Sequence, residues 1–279
     1  MILKSFSKIN LSLSVNRKLK NRKLHEIQSY FCLINLFDQI EIKRIKSGKD
    51  IVKFKGTFAR YVKKKKNSIT DALTILRERN LISNYYSVLV NKKIPVFAGL
   101  GGGTSNAVCL IAHLTKNKIN NNLLSILSRK IGSDVKLFFH KQGFLKKITK
   151  INYFPRKYKL YFLLVYPNVR CSTKYVYSKV KKFTLKSEYS FTKINNKIKF
   201  IKLLINKKND LQSIVENKYP VIRKLIIEIE QKTGCYFARI TGSGSVCYGV
   251  FKSEKTAKAA LKRIKLKYPQ YWSLVAKTI

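Results

Sequence analysis

A glycine-rich segment in the first half of the chain constrains the fold more than any other feature. Residues 94–108 read IPVFAGLGGGTSNAV, with four glycines within five residues directly before an apolar run. Because glycine has no Cβ, its backbone adopts positive φ angles and brings several N–H donors close to an anion. We predict that Thr104 or Ser105 begins a helix here, and a helix N-terminus attracts anions. The helical spacing is carried by Ala107, Leu110, Ile111 and Leu114. The segment therefore predicts a phosphate-binding loop.

The spacing of these glycines separates the known kinds of phosphate loop. A P-loop ends in Gly-Lys-Ser or Gly-Lys-Thr, and no lysine follows the glycines here. A dinucleotide fingerprint needs a third glycine at a fixed offset and an opening βαβ unit, and residues 99–104 satisfy only its first part. The remaining alternative, on the glycines alone, is a flexible turn without a ligand.

Length and composition predict a folded chain of two domains. The chain has 279 residues, is 45% hydrophobic and contains 16 Tyr and 16 Phe, too apolar for a disordered protein despite a net charge of +46. Lysine and arginine are scattered along the chain, with one run at residues 63–66, and no nucleic-acid-binding motif accompanies them. We interpret most of the charge as solvated surface that attracts anionic substrates, and expect no specific nucleic-acid partner.

Cysteine usage and apolar runs indicate the compartment. The five cysteines are widely spaced without a C-x-x-C pair, so neither a disulfide framework nor a zinc site is predicted. Residues 1–8 carry charges where a signal peptide needs an apolar stretch, and the longest apolar run, residues 160–166, is too short to span a bilayer. We expect a soluble protein of the reducing cytoplasm with no membrane partner.

Hydrophobic periodicity predicts a mixed α+β chain. The predicted strands are a hairpin beginning at Leu11, then residues 26–36, 39–45, 51–55, 87–91, 160–166, 235–240 and 246–251, and a last strand near Leu274. Residues 68–71 resemble a capping box that begins a helix, and further helices follow the glycine segment, run through Leu123 to Gly132, precede Gly234 and begin near Glu254. The elements of the second half form an antiparallel α+β pattern. Segregated strands and helices, rather than regular βαβ alternation, suit two α+β domains, residues 1–150 and 151–279.

Six short motifs occur in an order that resembles a known enzyme family. They are residues 8–13 (KINLSL), 25–28 (HEIQ), 95–108, 132–134 (GSD), 209–211 (NDL) and 239–244 (RITGSG). They resemble the 4-diphosphocytidyl-2-C-methyl-D-erythritol kinase family of the GHMP kinase superfamily, and the resemblance extends over nearly the whole chain. The resemblance implies a two-domain α+β GHMP kinase fold with its active site in the cleft between domains.

The resemblance also implies the reaction. Members transfer a phosphoryl group from ATP, with Mg²⁺, to a hydroxyl of a diphosphocytidyl-methylerythritol substrate in the non-mevalonate route to isoprenoid precursors. Phosphoryl transfer depends mainly on positioning and charge neutralisation. In the family, the residue at Asp134 is the base and the lysine at Lys8 lies beside it. With 13 Asp and Glu in the whole chain, we expect the ATP phosphates rather than protein ligands to hold most of the Mg²⁺, with Thr104 or Ser105 nearby.

The remaining site residues follow from the same resemblance. The residues implied to bind the nucleotide are Pro95, Ala98, Gly99, Leu100, Gly101, Gly102, Gly103, Thr104 and Ser105. Those implied to bind the substrate are Asn10, His25, Tyr177, Gly242 and Gly244, with His25 against the cytosine edge, Tyr177 stacked on the base and the 241–244 turn supporting the glycine loop. We expect a monomer or homodimer that binds a small-molecule substrate.

Each of these residues has another interpretation when it is considered alone. Asp134 is then a cap of the turn after Gly132, Lys8 a solvated charge, His25 a strand histidine, and residues 241–244 a hairpin connection.

The chain also departs from the family. Residues 22–24 are Arg-Lys-Leu where the family has Asp-Gly-Tyr, so one aromatic face of the cytosine site is missing; Phe97 replaces Gly or Ala, and Val108 replaces Ala.

Two other functions stay open from the sequence. One is a GHMP kinase for a different small molecule, of the homoserine or mevalonate type, against which His25 and the Lys8-Ile-Asn10 segment argue. The other is a non-catalytic, nucleic-acid-binding protein on a kinase scaffold, suggested by the net charge.

Overall fold

The computed structural model describes residues 1–19, 25–147, 150–154, 157–187, 194 and 196–279. The strands within them are β1 (Ile2–Asn10), β2 (Ser14–Lys18), β3 (His25–Ile45), β4 (Ile51–Lys55), β5 (Tyr85–Asn91), β6 (Gln142–Lys147), β7 (Lys150–Tyr153), β8 (Tyr161–Tyr166), β9 (Cys235–Ile240), β10 (Cys247–Phe251) and β11 (Trp272–Lys277). The α-helices are α1 (Ser68–Glu78), α2 (Gly102–Leu114), α3 (Asn121–Lys130), α4 (Thr173–Ser178), α5 (Lys197–Ile205), α6 (Gln212–Lys218), α7 (Pro220–Glu230) and α8 (Glu254–Lys267). The α+β class predicted from the sequence is confirmed. No helix among the described residues is long and apolar enough to cross a membrane.

Contacts divide the chain into two compact units that interleave along the sequence. Unit 1 comprises Met1–Lys8, Leu36–Val96 and Gly101–Phe139, and unit 2 comprises Ile9–Asn35, Phe97–Leu100 and His140–Ile279. The chain therefore changes unit within β1, within β3 and inside the glycine segment. This interleaving differs from the single boundary expected from the sequence, and the domain division at residue 150 stays a prediction.

Unit 1 is built on β5, which lies between β3 and β4. Strand β5 pairs antiparallel with the second half of β3 and parallel with β4. A parallel pair needs a crossover connection, and helix α1 supplies it between β4 and β5. The helices α1, α2 and α3 bury their apolar faces in one core with Ile40, Ile42, Val88 and Val90 of the strands.

Helix α1 begins one residue earlier than its predicted capping box. The N-cap is Asn67, whose side chain accepts hydrogen bonds from the N–H groups of Ile69 and Thr70. Thr70 completes the capping box by accepting from the N–H of Asn67. Asparagine is as good an N-cap as serine, and Asn67 also donates to the backbone of the preceding basic run at Lys63 and Lys64.

The two strands predicted at residues 26–36 and 39–45 form a single strand, β3. The prediction ended one strand at Leu36 and began the next at Gln39, leaving out Phe37 and Asp38. Asp38 is nevertheless completely buried, and its carboxylate accepts hydrogen bonds from the N–H groups of Lys93 and Ile94. Those partners lie more than fifty residues away in the sequence, so no local pattern reports them.

Unit 2 contains a four-stranded antiparallel sheet in the order β11-β8-β10-β9. Helices α7 and α8 pack against this sheet. The predicted strands at 160–166, 235–240 and 246–251 correspond to β8, β9 and β10 within one residue, and the last strand is β11. The first half of β3 pairs with β2 and β6 in the same unit. All five cysteines are free thiols.

Candidate active site

An ion pair between Lys8 and Asp134 forms the centre of the candidate site in unit 1. Lys8 is near the end of strand β1, and Asp134 is in the first turn of the 3-10 helix Ser133–Phe139. The Nζ atom of Lys8 lies 3.1 Å from Oδ2 of Asp134, with side-chain exposures of 4% and 29%. The lysine is therefore held inside the unit, whereas the carboxylate remains accessible to a small molecule.

Gly101 brings the glycine segment against this ion pair. It adopts φ +69° and is the N-cap of helix α2. A Cβ at this position would lie 2.8 Å from Cζ of Phe138 and 3.2 Å from Cε of Lys8. Glycine is favoured here for two reasons, since an L-residue rarely adopts this φ and its Cβ would press on the ring of Phe138 and the side chain of Lys8.

Helix α2 begins at Gly102, two or three residues before the predicted start at Thr104 or Ser105. Because Gly101 in the left-handed conformation ends the loop, Gly102 and Gly103 already have helical geometry. No side chain of the described residues caps this end, and Gly103 is exposed. The N–H groups of a first helical turn lack intrahelical acceptors and form an anion site together with the helix dipole.

The two hydroxyl residues after the glycines differ in their environment. Ser105 is buried; its Oγ donates to the carbonyl of Phe6 (2.6 Å) and accepts from Oγ of Ser5 (2.8 Å). Thr104 is half-buried, and its Oγ1 would lie 3.4 Å from a Cβ at Gly132, two residues before Asp134. Ser105 therefore anchors helix α2 to β1, and Thr104 lies beside Gly132.

A buried polar network that the sequence analysis missed supports the same helix turn. The ammonium of Lys92 bonds to the carboxylate of Asp38 and to Oδ1 of Asn106, the latter at 2.9 Å. Asn106 donates in turn to Asp38 at 3.0 Å and to Ser5 at 2.9 Å. The network connects β1, β3, the residue after β5 and the first turn of α2. Its members are distant in the sequence, and Lys92 is one of 59 basic residues, so no sequence signal distinguishes it.

In unit 2, the 241–244 turn contacts the first half of the glycine segment. The N–H of Val246 donates to the carbonyl of Ala98 at 3.2 Å, and Oγ1 of Thr241 donates to the carbonyl of Gly99 at 3.3 Å. Gly99 has φ +77°, and a Cβ there would overlap the carbonyl oxygen of Thr241. Pro95, Ala98 and Leu100 are buried, so those side chains support the segment from within.

Asn10 and the second glycine turn are joined through Thr241. The backbone N–H of Asn10 donates to Oγ1 of Thr241 at 3.0 Å, and its side-chain amide donates to Oγ of Ser29 at 2.8 Å. Asn209 fixes the turn from its other side by donating to the carbonyls of Ile240 and Gly242 at 3.0 and 2.9 Å. Gly242 and Gly244 have φ angles of +55° and +77°. The motif at 209–211 therefore has a structural role beside the 241–244 turn.

His25 and Tyr177 lie together, as the implied base site requires. Their ring centroids are 5.2 Å apart and the ring planes differ by 32°. Burial, and secondarily the charge of Lys18, lower the pKa of His25 below its usual range. A neutral imidazole has one donor and one acceptor nitrogen, which suits the edge of a heterocyclic base. Phe183, which the sequence analysis did not single out, also contacts this histidine.

Two departures from the family pattern have different outcomes. Phe97 is 53% exposed and has φ +58°, a backbone conformation that favours glycine, one of the two residues expected there from the resemblance. Residues 22–24, which lack the expected aromatic, lie outside the described residues.

Among the residues that the structure describes, no group of three or more His, Cys, Asp or Glu side chains is arranged to hold a metal ion.

Comparison with known proteins identifies relatives along the whole chain. Residues 196–270 match the family model described as GHMP kinases C terminal. A 4-diphosphocytidyl-2-C-methyl-D-erythritol kinase from Pelagibacter ubique (strain HTCC1062) is 36% identical, covering 99% of this chain and 98% of the relative. A kinase of the same name from Wolbachia sp. subsp. Brugia malayi (strain TRS) is 31% identical, covering 99% of this chain and 98% of the relative.

A solved structure agrees with these relatives in fold. The crystal structure of a 4-(cytidine 5'-diphospho)-2C-methyl-D-erythritol kinase superposes with a TM-score of 0.75 and 20% identity, covering 100% of both chains. The GHMP kinase fold predicted from the motifs is confirmed. Because sequence identity above 30% extends over 99% of the chain, the chain belongs to the 4-diphosphocytidyl-2-C-methyl-D-erythritol kinase family.

Proposed function

We propose that the chain transfers the γ-phosphoryl group of ATP to a hydroxyl of 4-diphosphocytidyl-2-C-methyl-D-erythritol, in the non-mevalonate route to isoprenoid precursors. The observation that carries this proposal is the 3.1 Å ion pair of Lys8 and Asp134 beside Gly101 and the N-terminus of helix α2. The full-length relatives support the choice of substrate. The free cysteines agree with a reducing cytoplasm.

The glycine segment and helix α2 bind the phosphates of ATP. The N–H groups of the first helical turn lack intrahelical acceptors, Gly103 in that turn is exposed, and the helix dipole adds about half a positive charge. Ser105 and Asn106 are hydrogen-bonded inside unit 1, so the first turn keeps its position while the phosphates bind. Such fixed donors stabilise charge without reorganising during the reaction.

Asp134 accepts the proton of the attacking hydroxyl. The substrate O–H bond breaks, its oxygen forms a bond to the γ-phosphorus, and the bond from that phosphorus to the bridging oxygen breaks with its electrons on ADP. The proton remains on the Asp134 carboxylate until it is released to water. The ammonium of Lys8, 3.1 Å from that carboxylate, orients Asp134 and stabilises the negative charge on the transferring oxygens.

Mg²⁺ supplies charge neutralisation on the ATP phosphates when it is bound. Mg²⁺ prefers oxygen ligands and is commonly held by substrate phosphates with few protein groups. Thr104 fits this requirement because its hydroxyl is half-buried near Gly132, whereas the hydroxyl of Ser105 already bonds to Phe6 and Ser5. Thr104 would therefore hold the ion together with the ATP phosphates.

The test is ADP release from ATP and Mg²⁺, with and without the diphosphocytidyl-methylerythritol substrate, for wild type and Asp134→Asn. We expect substrate-dependent turnover in wild type and a kcat about 10² to 10⁴ lower in the variant, the usual effect of losing a general base. The matched control is Asp71→Asn, in the first turn of α1, which should keep full turnover. A near-normal rate for Asp134→Asn would remove Asp134 from the role of base.

The same assay separates the other candidate functions. Turnover with homoserine or mevalonate but not with the cytidyl compound would indicate a different GHMP kinase. Absent turnover together with RNA binding that weakens steeply with salt would favour the non-catalytic alternative. The full-length relatives favour neither of these outcomes.

A further inference from the structure

An aromatic residue outside all six sequence motifs contacts the candidate base site. The ring of Phe183 lies 6.4 Å from the ring of His25, centroid to centroid, with the planes 31° apart. Phe183 is 47% exposed, so one part of the ring packs against the histidine and another part faces solvent. Tyr177 contacts the same histidine at 5.2 Å. His25 thus has two aromatic neighbours from different parts of the chain.

Hydrogen bonds fix the segment that carries Phe183. The N–H of Thr184 donates to the carbonyl of Val15 at 2.9 Å, and its hydroxyl donates to Asp210 at 2.7 Å. At the other end of the segment, the N–H of Ser187 donates to Oε1 of Gln28 at 2.8 Å. The segment 183–187 is therefore held along β2 and the start of β3, and the position of Phe183 is defined by backbone contacts of its neighbour rather than by its own burial.

Exposure alone does not distinguish Phe183 from the other apolar residue of this segment. Leu185 is 91% exposed and lies two residues away on the same segment. Single exposed apolar side chains of this kind are common and need no functional explanation. Phe183 differs from Leu185 because its ring is held against His25.

We propose that Phe183 is a specificity-determining residue that forms an aromatic wall for the base of a pyrimidine nucleoside diphosphate. This inference rests on the proposed function, since it takes the cytosine of the substrate as the ring that is bound. Position 24 is leucine in this chain, so the aromatic face expected immediately before His25 is absent from the sequence. Phe183 supplies an aromatic face beside the same histidine, from segment 183–187.

The kinetic test compares Phe183→Ala and Phe183→Tyr with Leu185→Ala as the matched control. Stacking of a base on an aromatic side chain is sequence-tolerant and substantial, so Phe183→Ala should raise the KM for the cytidyl substrate about 5- to 50-fold. The kcat and the KM for ATP should stay at wild-type values, because Phe183 is proposed to contact only the base of the cytidyl substrate. A fold defect would change these two constants as well, so they serve as a check on folding. Phe183→Tyr, which keeps the ring, and Leu185→Ala should both resemble wild type.

Several results would overturn the inference. They are an unchanged KM for the cytidyl substrate in Phe183→Ala, an equal rise in Leu185→Ala, or a loss confined to kcat. Because Phe183 is about half exposed, the alanine variant should fold, and a thermal midpoint near that of wild type checks this.

Calorimetry with cytidine 5'-diphosphate distinguishes failure of this inference from failure of the proposed function. If wild type binds the nucleotide and Phe183→Ala binds it about 5- to 50-fold more weakly, the proposed contact between Phe183 and the base is supported even without kinase turnover. If wild type turns over the cytidyl substrate but both proteins bind the nucleotide equally, only the role of Phe183 fails. If wild type does not bind cytidine 5'-diphosphate at all, the role of Phe183 also fails.

Discussion

The backbone N–H of Asn10 donates a hydrogen bond to the hydroxyl of Thr241, and that hydroxyl donates to the carbonyl of Gly99. One buried side chain thus joins the end of β1, the glycine segment and the 241–244 turn, all within unit 2. Thr241 is completely buried, so water does not replace either bond if the hydroxyl is removed.

Thr241→Val removes this hydroxyl with almost no change in shape. We expect the free energy of unfolding to fall by about 1–3 kcal/mol, because the two hydrogen bonds of the buried Thr241 hydroxyl are lost. Denaturant unfolding measures this change. Thr241→Ser retains the hydroxyl and should recover most of the loss. Equal unfolding free energies for the valine and serine variants would show that the hydroxyl has no stabilising role.

Gly99→Ala tests the close approach of the glycine segment to the same turn. A Cβ there would overlap the carbonyl oxygen of Thr241, and the backbone has φ +77°. We expect destabilisation by more than about 1–2 kcal/mol, the cost of the left-handed conformation alone, together with a higher KM for ATP. Thermal unfolding and ATP kinetics measure the two effects.

The matched control for Gly99→Ala is Gly48→Ala. No atom lies within 4 Å of a Cβ built at Gly48, so this variant should unfold close to the wild-type temperature with an unchanged KM for ATP. If the two alanine variants behaved alike, the contact with Thr241 would not be the reason that glycine is needed at position 99.

Local sequence patterns predicted the parts of the site whose causes are local. Four glycines before a helical stripe predicted a glycine loop followed by a helix. The loop is shorter than predicted, because Gly102 and Gly103 already belong to the first turn of α2. The strands of the four-stranded sheet in unit 2 were predicted because their apolar residues are contiguous and bounded by turns, whereas β6 and β7 were not predicted. Lys8 and Asp134 were paired only through the resemblance to a family, since neither residue has a local signature.

Contacts between distant residues account for what the sequence did not reveal. The burial of Asp38 depends on Lys92, Lys93 and Ile94, which are distant in the sequence, so no local pattern predicts that β3 continues through this residue. The hydroxyl of Thr241 and the ring of Phe183 acquire their positions from backbone contacts with Asn10 and Val15. Periodicity describes which face of an element is apolar, and it contains no information about such partners.

Lys8→Met tests the charge beside the candidate base. The side chain of Met has a similar length, so the contact with Gly101 is retained while the ammonium is lost. We expect kcat to fall about 10² to 10³-fold, the scale seen when one group that stabilises transition-state charge is removed. Steady-state ADP release measures it.

Lys4→Met is the control for that substitution. Lys4 is on the same strand and is exposed, with its ammonium 5.2 Å from the ring centroid of Phe37. Removing this exposed cation should leave kcat unchanged. A comparable fall in kcat for both variants would attribute the effect to general surface charge rather than to the pair of Lys8 and Asp134.

Lys92→Met should be the most destabilising of these lysine substitutions. Lys92 is 2% exposed and Asp38 is fully buried, so the variant leaves an uncompensated carboxylate in the core of unit 1. Breaking a buried pair in this way costs about 3–5 kcal/mol.

Lys258→Met is the comparison, because Lys258 pairs with Glu254 on the surface of α8 and such pairs contribute about 0–1 kcal/mol. Denaturant unfolding of both variants measures the difference. Replacing Asp38 by Asn in the Lys92→Met background should restore part of the stability, since no buried charge then remains. If Lys92→Met unfolded like Lys258→Met, the network of Asp38, Lys92 and Asn106 would not be what holds the first turn of helix α2 in place.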